Sequence, residues 1–167
     1  MAETSPTERV QPCLLDRLTD HEPQHEKESR DQRVIGTRAY RAAVLRDIAW
    51  LLNTGNLGSL EDLEGFDDVH RSVVNFGMPD LCGLTASGLD PLDVERRLVE
   101  AIRIFEPRVL PHTLSVKSVP GGEGDGANVV SFEIEGQLWA QPMNEALFIR
   151  TEVDLETGQF AVKERGQ

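Results

Sequence analysis

The chain has 167 residues, with 17 Lys and Arg against 29 Asp and Glu for a formal net charge of −12, which is enough length for one core and requires no second. So acidic a surface opposes phosphate backbones and anionic lipid alike, excluding direct nucleic-acid binding and contact with a charged membrane surface. No apolar run approaches the roughly 20 residues that span a bilayer, and MAETSPTERVQPCLLDRLTD lacks the basic start and apolar stretch of a secretory leader, so a soluble cytoplasmic protein without direct membrane insertion is expected.

Residues 1–36 are charged and show little periodicity, apart from the cluster Cys13, Leu14, Leu15 and Leu18. The spacing of the three leucines suits one face of a short helix, so the segment reads either as a disordered tail or as a flexible arm bearing an adhesive patch. The two cysteines, Cys13 and Cys82, are too few and too far apart for a disulfide framework or metal spacing, and free thiols are expected.

Within the arm, HEPQH at 21–25 matches the H-E-x-x-H pattern that places two histidines on one helix face to hold zinc beside a glutamate base. Pro23 defeats it. In a helix interior its ring crowds the preceding turn and its missing N–H breaks a hydrogen bond, at a cost of about 3 kcal/mol or more. At a helix start it would leave His21 outside the helix. No metal and no cofactor is expected.

From Thr37 to Asn53 the apolar residues Tyr40, Val44, Ile48, Leu51 and Leu52 recur at helical intervals, with Arg38, Arg41, Arg46 and Asp47 mostly on other faces. The helix is expected to close at Asn53-Thr54-Gly55 through a left-handed glycine. An acidic stretch (Glu61, Asp62, Glu64, Asp67, Asp68) and the loop SVVNFGMPDLCG follow, and such a charge run reads as a solvated face. Asp90-Pro91 begins a second helix, because aspartate can accept from free N–H groups and proline tolerates the first position. Its face of Val94, Leu98, Ala101, Ile102 and Phe105 runs to Pro107, which biases Glu106 out of helical geometry.

The period then changes to two. Val130, Phe132, Ile134 and Leu138 alternate with Ser131, Glu133, Glu135 and Gln137, and Leu147, Ile149, Thr151 and Val153 alternate with Phe148, Arg150, Glu152 and Asp154. A strand from Thr113 to Val119, a glycine-containing turn at DLETGQ and a short strand from Phe160 to Lys163 complete about four strands. The expected fold is α+β, with two main helices (about 37–54 and 90–106) on a C-terminal antiparallel sheet (about 113–163), the arm 1–36 preceding a domain of 37–167.

The chemical candidates are weak. GGEGDG at 121–126 is followed by no Lys-Ser or Lys-Thr, and no G-x-S-x-G marks a nucleophile. Glu106 is the one carboxylate that stands out, beside a proline and two residues from Arg108. The pair reads either as a charge pair closing the helix or as a fixed contact surface. No catalytic residue is assigned.

Four segments, PCLLDRLTD (12–20), VLRDIAWLLNT (44–54), SVVNFGMPDL (72–81) and IFEPRV (104–109), occur in this order. Together they resemble TssE, the baseplate subunit of the type VI secretion system, related to sheath-initiating wedge proteins of contractile phage tails. The resemblance implies a structural protein on the cytoplasmic face of the inner membrane that joins TssF and TssG and connects them to the contractile TssB/TssC sheath. It implies assembly contacts at Glu106, Pro107 and Arg108, a docking segment at Leu14, Leu15, Asp16, Arg17 and Leu18, and a further contact at Asn75, Phe76 and Gly77. A sheet edge would accept a strand from the first sheath ring. Relatives also carry a lysozyme-like label, which makes peptidoglycan hydrolysis the competing expectation.

Overall fold

The computed structural model describes residues 10, 12–19, 24, 35–82, 88–119, 128–140 and 144–164. His21 and His25 of the zinc-like motif and the GGEGDG stretch lie outside the described residues. Among the described residues, four α-helices, α1 (Leu14–Leu18), α2 (Thr37–Leu52), α3 (Asp67–His70) and α4 (Pro91–Phe105), precede four strands, β1 (Ser115–Val119), β2 (Val129–Leu138), β3 (Glu145–Asp154) and β4 (Phe160–Glu164). The architecture is α+β. The strands form an antiparallel meander in the order β1-β2-β3-β4.

α4 packs over β1 and α2 over β4, and the two helices touch. Their apolar faces (Tyr40, Val44, Ile48 and Leu51; Val94, Leu98 and Ile102) meet Phe132, Ile134, Leu138, Leu147, Ile149 and Val153 in one core. Asp90 closes the start of α4 as its residue type dictates, its Oδ1 accepting from the Leu92 N–H at 3.0 Å. Val10, from the arm, exchanges two backbone hydrogen bonds with Ile35 and joins the core.

Three local expectations are corrected. Gly55 does not take a left-handed conformation; α2 is closed instead by side chains. Asn53 Nδ2 donates to the Ala49 carbonyl at 2.8 Å and Thr54 Oγ1 to the Trp50 carbonyl at 2.7 Å. The first strand begins at Ser115 rather than Thr113, because the Thr113 hydroxyl is used in a turn, donating to the Leu110 carbonyl and accepting from the Gln137 N–H. Ser131, expected to face water, is buried. The DLETGQ turn forms as expected, with Gly158 at φ 71°.

Both sheet margins are partly closed. The Asn53 amide bridges the outer edge of β4, donating to the Phe160 carbonyl and accepting from its N–H, both at 2.9 Å. Glu95 of α4 accepts from the Ser118 N–H of β1 at 2.6 Å. Antiparallel alternation points the Val162 backbone the same way as that of Phe160, and among the described residues it has no hydrogen-bond partner there.

The loop after α2 is pinned at Gly77, which has φ 128° and lies against Thr54. The Met78 N–H donates to the Thr54 carbonyl at 2.7 Å, and the Asn56 N–H to the Met78 carbonyl at 3.1 Å. A Cβ at Gly77 would stand 2.2 Å from the Thr54 oxygen. Gly77→Ala is therefore expected to destabilise the chain by about 2–4 kcal/mol, as both the contact and the backbone conformation are lost. Urea unfolding checks this, with Gly55→Ala, where nothing lies within 4 Å, expected to change little.

Candidate functional site

α4 ends where the Glu106 N–H donates to the Ile102 carbonyl at 2.9 Å, and the chain turns as the Val109 N–H donates back to the Glu106 carbonyl at 3.1 Å. The next residues are fastened to the end of β2: the Leu110 N–H donates to the Gln137 carbonyl and the Trp139 N–H to the Arg108 carbonyl, each at 2.8 Å. Glu-Pro-Arg is thus held by a helix on one side, a strand on the other and a proline with fixed φ between.

Glu106 points inward and is only 3% exposed. Its carboxylate accepts from Arg108 Nε at 2.6 Å, from Arg108 Nη2 through the other oxygen, and from the Arg108 N–H at 3.2 Å. Arg108 Nη2 also donates to Asp47 of α2 at 2.6 Å. Arg46 Nε donates to the other Asp47 oxygen at 2.8 Å, and Arg46 Nη1 reaches Asp16 of α1 at 2.7 Å. Cys13 Sγ closes the series on Asp16 at 2.9 Å. Charges therefore alternate along Glu106, Arg108, Asp47, Arg46 and Asp16, joining three segments far apart in sequence.

The electrostatics follow the contacts. Burial alone would push the Arg108 guanidinium down, but the hydrogen bonds and charge of Glu106, then of Asp47, outweigh it and raise its pKa above the ordinary arginine value. Burial opposes ionisation of Asp16 too, yet the hydrogen bonds from Cys13 and Arg46 prevail and hold its carboxyl below the usual aspartate value. Arg46 also stacks over Trp50, 5.1 Å from the ring centroid.

Beside this series lies an apolar groove of about 400 Å³ walled by Leu15, Trp50, Leu51, Phe76, Phe105 and Pro107, with Cys13, Asp47, Glu106 and Arg108 at its polar side. Phe76 meets Phe105 edge-on at 5.4 Å. Every wall residue comes from one of the four segments of the sequence resemblance, so residues spread over nearly a hundred positions converge on one surface.

The chain matches the family model of the baseplate wedge protein gp25 over residues 38–143, a span covering α2, α4 and the first two strands. It belongs to the gp25 baseplate wedge family. No curated protein and no solved structure gives a significant match. The family is a structural one, of the baseplates of contractile injection systems. Among the described residues, no helix is long and apolar enough to cross a membrane.

Of the residues singled out from sequence, Leu15, Asp16, Phe76, Glu106, Pro107 and Arg108 meet at this groove and its charge series. Leu14 and Leu18 are 69% and 73% exposed and extend it outward. Arg17 forms a backbone hydrogen bond to Cys13 within α1. Asn75 and Gly77 lie elsewhere: Asn75 is buried, accepting from the Gly58 N–H at 2.8 Å and donating to the His70 carbonyl at 2.9 Å. Of the two readings open for the Glu106 and Arg108 pair, a charge pair closing the helix and a fixed contact surface, the geometry of Glu106 fits the first: its oxygens are turned in and taken up by Arg108. Missed altogether were Arg46, Asp47 and Trp50. Adjacent opposite charges and a tryptophan on the polar side of an amphipathic helix were the available signal.

Removing the Arg108 side chain leaves Glu106 buried without its cation, so Arg108→Ala is expected to cost about 3–5 kcal/mol. Removing both side chains should cost clearly less than the two single losses added, a coupling that a double-mutant cycle in urea measures.

Asp16 has a folded pKa below its ordinary 3.8, so its contribution is fully present above that value and lost as pH falls through the depressed one. Acid should therefore release α1 from Arg46. The expected readout is a change in Trp50 fluorescence below about pH 4, recorded in a Trp139→Phe background and flattened by Asp16→Asn.

Proposed function

We propose that this chain is the TssE-type wedge subunit of a type VI secretion baseplate, joining TssF and TssG to the TssB/TssC sheath as a passive joint. Membership of the gp25 wedge family supports the class of role. The observation that carries the finer reading is the series from Glu106 to Asp16, which orients a helix with outward leucines on a rigid base.

On this reading α1 and the groove receive the other wedge subunits: Leu14 and Leu18 supply apolar contact, and the groove takes apolar side chains from the partner. Arg108 acts by position, fixing the end of α4 against α2, and a lysine could not span Glu106 and Asp47 with the same planar fork. The outer edge of β4 beyond the Asn53 bracket, at Val162, is the place for an added strand that begins the sheath. On this reading the site is structural rather than catalytic, which the engagement of Asp47 and Glu106, the two carboxylates at the groove, by arginines supports. When assembled the protein sits at the cytoplasmic face of the inner membrane.

Leu14→Ser with Leu18→Ser removes only exposed apolar surface and should leave the melting temperature unchanged. It is expected to reduce co-purification with TssF and TssG at least about tenfold, as the loss of an interface anchor does. Undiminished co-purification by the folded variant would reject the docking role, and failure of the parent chain to bind either subunit would reject the assignment to this baseplate.

A further inference from the structure

Between α2 and α4 the chain forms a unit of two 3₁₀ turns, Leu57–Ser59 and Val73–Asn75, packed with α3. Its backbone is fixed from within. Asn75 ties the first turn to the end of α3 through Gly58 and His70, and Gly77 locks the exit against Thr54. The large apolar side chains of the unit are left to solvent: Leu60 is 83% exposed, Phe66 61%, Val73 82% and Val74 65%. Burying such a side chain is favourable, so a segment that served only to connect two helices would turn them inward. Exposed apolar groups on a rigid base suit docking, because little ordering remains to oppose association.

Charge narrows the partner. Glu61, Asp62, Glu64, Asp67 and Asp68 lie among these residues, all exposed, and among the described residues none of them has an ion-pair partner. Arg71 is the one Lys or Arg in the stretch 60–74. Such a face repels phosphate backbones, anionic lipid and a second copy of itself.

We propose that the surface carrying Leu60, Phe66, Val73 and Val74 is a docking face for a protein segment that offers apolar side chains flanked by Lys or Arg. Apolar contact supplies affinity, and the carboxylates set orientation and reject acidic competitors. The face is distinct from the groove beside Arg108, since none of its four apolar side chains lines that groove. The inference rests on the wedge reading for the existence of a partner complex, and on this unit's own geometry for the surface used.

The test places the photo-cross-linking residue p-benzoylphenylalanine at Val73 of the full chain in cells that assemble the complex, with Leu92 on α4, also exposed, as control. The expected result is one strong adduct at position 73 and none at 92, with Lys or Arg beside apolar residues in the cross-linked peptide. Glu61→Lys with Glu64→Lys, whose side chains bond to no described residue, should lower its yield at least about tenfold with an unchanged melting temperature. Raising salt from about 0.1 M to about 0.5 M in a lysate of the same cells before irradiation should lower the parent's yield as well, which keeps the test decisive if that variant misfolds.

No adduct, an adduct indifferent to charge and salt, a cross-linked peptide without basic residues, or a second copy of this chain would overturn the proposal. An adduct of the expected chemistry on a protein outside the wedge and sheath supports the face and removes the wedge assignment. TssF and TssG co-purifying without an adduct at position 73 does the reverse.

Discussion

The fork of Arg108 between Glu106 and Asp47 is the contact on which the functional end of the molecule depends. Glu106 stands at the last turn of α4, where the partial negative charge of a helix end opposes a carboxylate, and it is buried as well. Two unfavourable terms act on the same oxygens. A guanidinium two residues on offsets both, and its spare donor ties the arrangement to α2. The proline between them narrows the backbone so that the fork closes without a search through many conformers.

From that fork the alternating charges continue to Asp16, and their value is positional more than energetic. Partly buried ion pairs often do little better than break even once desolvation is counted. What the series supplies is registry: it sets α1, which has no fully buried side chain, at one place over α2. Five residues of helix cannot hold themselves together in water, so a local electrostatic anchor decides where the leucines of α1 stand. An element fastened in this way can yield to a partner that offers its leucines more apolar contact than the groove does.

Much of this was legible in the residues. The faces of α2 and α4, the Asp90-Pro91 start and the alternation in β2 and β3 follow from periods of 3.6 and 2 and from capping chemistry, all local properties of the chain. The misses share a cause. Asn53 bracketing β4, the Thr113 hydroxyl accepting from the Gln137 N–H, and Asp47 paired with Arg108 each depend on a partner up to about a hundred residues away in sequence, and no window of local sequence contains it. The inward turn of Glu106 is of the same kind, since burial of a carboxylate is decided by the tertiary neighbour that neutralises it. The four motif segments could be found in order along the chain, but their convergence on one groove is a property of the fold.

A single device recurs wherever the surface must be exact: a side-chain amide or carboxylate bonded to backbone. Asn53 brackets β4, Asn75 fastens the two turns to α3, Glu95 closes part of β1, and Glu106 accepts from the Arg108 N–H. A hydrophobic core fixes the centre of a domain, but it cannot dictate the path of loops at its rim, where apolar area is scarce. Directional hydrogen bonds do so, because an unmade bond in a buried place is costly while a made one contributes modestly to stability. The result is a rim held in one shape with its apolar side chains facing out, as a subunit needs if it is to be recognised by contact alone.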